Sequence, residues 1–147
     1  MKLEETSALS LPWKLSVPST SLVRGPQLNP GFDSVLTWSY EGDSEFVKKP
    51  RNGTVIQRLT FHRVVAYRCS YGFSCGSDLV RTAYDQLVDL GATDWLRMVR
   101  IATSGDPSRD VEPLRHVAIF FDEGPCYEFI CKEAYISEEL SPRSDSA

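Results

Sequence analysis

His62 and His116 are the only histidines of this 147-residue chain, and each lies in an apolar run rich in β-forming residues. Each has basic company, Arg63 beside His62 and Arg115 beside His116. Imidazole changes charge near neutral pH, so two histidines with arginines and a carboxylate can bind an anion or shuttle protons. If the two runs pair, His62 and His116 share the mixed face of a sheet with Arg58, Arg68 and Glu128. The competing reading is two partly exposed strand histidines with no joint role. A one-residue slip in register moves a strand side chain to the other face.

Ser74-Cys75-Gly76 offers a second chemistry. It puts a thiol ahead of an expected helix N-terminus, where the helix dipole lowers a thiol pKa. Cysteine catalysis would then need His62 or His116 within hydrogen-bond reach. The four cysteines, Cys69, Cys75, Cys126 and Cys131, lack the paired Cys-x-x-Cys spacing of a zinc site. On one strand, Cys126 and Cys131 point to opposite faces. Buried reduced thiols are the simplest expectation, with a Cys69–Cys75 bridge as the competitor. No serine occupies a Gly-x-Ser-x-Gly elbow, and Gly72 and Gly76 lack the Lys-Ser/Thr ending of a phosphate loop. Asp122 and Glu123 supply too few oxygens for calcium. No catalytic set, cofactor or metal is therefore expected. Tyr71 and Phe73, in the Ser- and Gly-rich loop 70–76, are the candidate aromatics for the surface, where such side chains anchor protein interfaces, with burial under the helix as the competing reading.

The elements that must position these residues follow from periodicity. Residues 35–40 and 55–68 read as strands, the second with its odd positions facing the core. Residues 77–90 carry apolar residues at helical spacing, with Ser77 as cap and Gly91 as stop. Thr93 caps a second helix, with Asp94 in its first turn and Trp95, Leu96 and Val99 on its buried face. Residues 114–136 form a β-hairpin around the turn 122–125. The expected fold class is α+β, an antiparallel sheet with two consecutive helices on one face and a C-terminal β-hairpin. Residues 1–31 are expected to be a proline-rich, largely irregular arm, residues 32–137 a single domain, and residues 138–147 a disordered tail.

An apolar content of 41% is enough for one core, and a net charge of -4 argues against a general nucleic-acid binder. The first residues lack a signal-peptide core, and no apolar run reaches membrane-spanning length. The expectation is a soluble cytoplasmic protein. The combination Tyr84-x-x-Leu87-Val88, Asp94-Trp95-Leu96, Leu114-Arg115-His116, Phe121-Asp122-x-Gly124 and Cys126-Tyr127-Glu128 resembles a pattern in small uncharacterised bacterial proteins. Some of these are similar to immunity proteins of polymorphic toxin systems. The resemblance spans residues 38–136. It implies a protein that neutralises a partner toxin by covering its active surface, and it brings no catalytic residues with it. The expected function is a non-enzymatic protein-binding module, immunity-type by the resemblance, with contacts from Tyr71, Phe73, His62, His116 and Arg58. The alternative is a small-molecule-binding domain or hydrolase built on a His/Cys site.

Overall fold

The structure, a computed structural model, describes residues 3–8, 14–17, 22–41, 53–71, 77–103, 113–122 and 124–142. In chain order they form β1 (Leu3–Ala8), β2 (Lys14–Ser16), β3 (Leu22–Asn29), β4 (Asp33–Glu41), β5 (Gly53–His62), β6 (Ala66–Tyr71), α1 (Ser77–Ala83), β7 (Gln86–Asp89), α2 (Asp94–Thr103), β8 (Arg115–Phe120), β9 (Pro125–Cys131) and β10 (Glu133–Pro142). The strands make two five-stranded sheets, ordered β1-β10-β5-β4-β3 and β2-β7-β8-β9-β6. Every neighbouring pair is antiparallel. The expected α+β class is thus corrected. The described residues are mostly antiparallel β in two sheets, and the two short helices among them are separated by β7.

Alternation along the strands builds the core between the sheets. In β5, Val55, Gln57, Leu59 and Phe61 are buried, while the residues between them are half-exposed. Register aligns Leu36, Leu59 and Ile136 across the first sheet. The second sheet answers with Leu87, Val117, Ile119, Phe121, Tyr127 and Phe129. Phe61 stacks on Phe129 with centroids 4.0 Å apart, and Trp38 meets Phe121 edge-on at 5.4 Å. One polar row crosses this apolar interior. The Trp38 indole N–H donates to Gln57 Oε1 at 2.7 Å, and the Gln57 amide donates to Glu138 Oε1. Buried polar groups are tolerable when bonded in this way.

The expected strand 55–68 is divided. It bends at Arg63, which takes a left-handed φ of 55°, and the chain passes from the first sheet into the second. The C-terminal run bends at the matching place. Lys132 N–H donates to the His62 carbonyl at 3.1 Å, and Val65 N–H donates to Ile130 at 2.9 Å. The β5–β10 ladder therefore continues around a corner as the β6–β9 ladder. Cys126 and Cys131 fall on opposite faces of β9, both buried, whereas Cys69 is exposed.

The expected helix 77–90 stops at Ala83. Asp85 adopts a φ of 58°, donates its N–H to the Phe120 carbonyl, and accepts from Val17 N–H at 2.8 Å. These pairings draw residues 86–89 into the second sheet as β7, where Leu87 is fully buried. The apolar spacing fitted a helix, but tertiary pairing overrode it. Within residues 1–31, expected to be largely irregular, lie β1, β2 and β3. Pro26 falls in β3 within the register shift between Arg24 and Gln27 of its pairing with β4, on a sheet edge, where the missing N–H is tolerated. β10 continues to Pro142, past the boundary expected at 137.

The corner yields a stability prediction. A left-handed conformation costs an L-residue about 1–2 kcal/mol and is worst for β-branched side chains. Arg63 already bears that cost, so Arg63→Val is expected to lower unfolding free energy further, by about 1 kcal/mol, and Arg63→Gly, which sheds the strain but gains unfolded-state freedom, to be near neutral. Urea denaturation of both variants checks this. Equal losses would argue against a left-handed residue at the corner.

Candidate functional site

Among the described residues, a dense polar cluster lies on the outer face of the second sheet. Alternation puts His116 of β8 and Glu128 of β9 on that face, away from Val117 and Phe129. Arg68 of the edge strand β6 sits directly across from Glu128. His116 Nε2 lies 2.9 Å from Glu128 Oε1, and its Nδ1 lies 2.6 Å from Thr93 Oγ1. Arg68 grips the same carboxylate with two donors, Nε to Oε2 at 2.6 Å and Nη2 to Oε1 at 2.9 Å. Thr93 also accepts Leu96 N–H at 3.2 Å, which is the expected cap of α2. Trp95, on the first turn of α2, closes the cluster. Its ring meets His116 edge-on at 5.0 Å and lies 4.2 Å beneath the Arg68 guanidinium.

The chemistry of the cluster is set by burial. His116 and Glu128 are each 3% exposed. Burial pushes the Glu128 carboxyl up, but hydrogen bonds from His116 and Arg68, with the charge of the guanidinium, outweigh it and hold the group down at about 2. The hydrogen bonds are satisfied with His116 neutral or protonated. Neutral, it accepts the Thr93 hydroxyl proton at Nδ1 and donates from Nε2; protonated, it donates from both nitrogens. Among the described residues, no fully buried side-chain polar atom lacks a hydrogen-bond partner. A carboxylate held this low is a poor base near neutral pH. The arrangement ties α2, β6, β8 and β9 together, and its buried groups are already committed to one another.

The structure brings together only part of the constellation expected from the sequence. His116, Glu128 and Arg68 meet. His62 and Arg58 are on the other sheet, on the outward side of β5, so the two-histidine face does not form. His62 Nδ1 lies 2.5 Å from Asp33 Oδ1, and Arg58 Nη1 donates to Glu139 at 3.1 Å. Tyr71 is 70% exposed at the end of β6. Phe73 and Cys75 lie outside the described residues. Cys131 faces the core, where burial and the nearby Asp89 charge push its thiol up to about 12. Thr93 and Trp95 had been read only as a cap and a packing residue. Their link to His116 had no signature in the sequence, because it depends on where α2 docks.

Among the described residues, no group of three His, Cys, Asp or Glu is placed to hold a metal ion. No helix among them is long and apolar enough to cross a membrane. Comparison with known proteins found no matching family model, no matching curated protein and no matching solved structure.

The depressed Glu128 carboxyl makes stability depend on acid. Its folded value lies below the ordinary 4.5, so the stabilisation is fully present above pH 4.5 and is lost as pH falls toward about 2. The loss is expected to be on the order of 3 kcal/mol at most, reduced by water at the half-exposed Arg68. Urea denaturation across this range should show the decline in the wild type and a shallower one in Glu128→Gln. Identical slopes would remove Glu128 from the account.

Proposed function

We propose that this chain is a cytoplasmic, non-enzymatic protein-binding module and that α2 presents its principal contact surface. The observation that carries this reading is the division of labour around α2. Its inner side is anchored, with Leu96 buried, Trp95 against His116 and Thr93 in the polar cluster. Its outer side carries Met98 and Ile101, which are 65% and 67% exposed and three positions apart, hence neighbours on the helix surface. Arg97 and Arg100 flank them. Large apolar side chains framed by arginine, on a rigid support, are the composition of an interface core. The partner that fits is a protein surface with apolar groups ringed by carboxylates. Tyr71 remains a candidate contact because of its exposure; His116 does not, being buried in the support. The sequence resemblance to immunity proteins adds one class of partner, a toxin domain whose active surface would be covered.

The test is site-specific photo-crosslinking in cells that naturally make the protein. A photoreactive residue at position 98 is expected to give one discrete adduct. The same residue at position 60, on the outward side of β5, should give none, and Arg97→Glu with Arg100→Glu should abolish the adduct. No adduct at 98, or the same adducts from both positions, would overturn the proposal.

A further inference from the structure

Where β7 ends and β8 begins, a cleft of about 170 Å³ lies between the strand ends and α2. Leu96, Leu114 and Pro113 form its apolar wall, and Arg100, Arg115 and Asp89 supply its charges. Asp89 is committed to building the cleft. Its side chain is 4% exposed, its Oδ1 accepts Gly91 N–H at 2.9 Å, and its Oδ2 accepts from Arg115 Nη1 at 3.0 Å. Gly91 makes that contact with a φ of 72°, a conformation glycine adopts without strain. Arg100 Nη2 donates to the Leu114 carbonyl at 3.0 Å, which pins the second guanidinium to the opposite rim. A guanidinium has five N–H donors in a planar fork matched to a carboxylate. The hydrogen bonds above engage one donor of each arginine. Among the described lining residues, two guanidinium charges against one carboxylate leave a single positive charge.

We infer that this cleft is a binding site for a small organic monocarboxylate, with the carboxylate held between Arg100 and Arg115 and a compact apolar body against Leu96, Leu114 and Pro113. The volume lies below the roughly 300–1,000 Å³ of sites for drug-sized ligands, which suits a single-ring or short-chain acid. One net positive charge matches a monoanion, and the apolar wall favours an organic acid over a bare inorganic ion. The site shares Arg100 with the α2 surface proposed above, but it is read out by a small acid and needs no partner protein to be detected.

The experiment is a backbone amide NMR titration of the full chain with benzoate, with benzamide as the neutral isostere and inorganic phosphate as the compact anion. Benzoate is expected to shift the amides of Gly91, Leu96 and Arg115 saturably, and neither benzamide nor phosphate should do so. Arg100→Gln should weaken benzoate binding about tenfold, the loss of one charge-assisted hydrogen bond, with the remaining spectrum unchanged. Four results would overturn the inference: no saturable shift with benzoate, an equal response to benzamide, phosphate binding as tight as benzoate, or unchanged affinity in Arg100→Gln.

Discussion

The Glu128 carboxylate is the point to which the outer layer of the second sheet is tied. A buried charge is strongly unfavourable unless it is paired and hydrogen-bonded. Here the carboxylate is met by two donors from Arg68 and by His116. That requirement fixes three strands relative to one another, since Arg68, His116 and Glu128 come from β6, β8 and β9. It also fixes a helix. His116 reaches Thr93, and Thr93 caps α2, so the charge on one strand governs the start of a helix on another segment. Trp95 fills the space between Arg68 and His116 with apolar surface. The cluster contains a histidine, a hydroxyl and a carboxylate, yet its geometry serves attachment. Each buried group already has its partners, and hydrogen bonds from His116 and Arg68 hold the carboxyl well below the usual carboxylate range.

The two sheets share a core because two long runs of chain bend together. β5 and β6 follow one another across Arg63, and β9 and β10 follow one another across Lys132. The hydrogen bonds at the corner keep these runs in register as they turn. The ladder then places Phe61 over Phe129 and gives the interior its first contact between layers. The same bend separates the histidines. His62 stays with the first sheet while Arg68, six residues later, joins the second beside Glu128 and His116.

Much of the local structure was legible in residue pattern. The alternation along 55–61, the opposite faces of Cys126 and Cys131, and the Thr93 cap all follow from period and residue type. So does the turn before Pro125, where Gly124 N–H donates to the Phe121 carbonyl and a Cβ at Gly124 would meet Phe121 Cβ at 3.1 Å. The global arrangement was less legible, for identifiable reasons. An arginine in the left-handed region carries no sequence mark comparable to Gly or Asn-Gly, so the length of 55–68 allows a bend but nothing in the sequence places it at Arg63. Residues 77–90 satisfy helical spacing, yet Leu87 and Val88 equally satisfy a strand with one inward and one outward side chain. Only pairing with β2 and β8 decides between them. Of the candidate site, Arg68, Glu128 and His116 were grouped by residue type, whereas His62 and Arg58 were joined to them on the false premise of one continuous sheet. The cleft beside α2 depends on Asp89 and Arg100, distant in sequence and unremarkable in type.

Binding through α2 requires the helix to be a firmly held platform and not a loosely docked turn. Native-state hydrogen exchange of its amides tests this most directly, with Leu96 and Arg97 as reporters because their acceptors are the Thr93 hydroxyl and carbonyl. If the buried network holds the helix, these amides will exchange only through the global opening that also releases the β8 and β9 amides. Exchange of the α2 amides at rates near those of an unprotected chain, while β8 and β9 stay protected, would contradict the account.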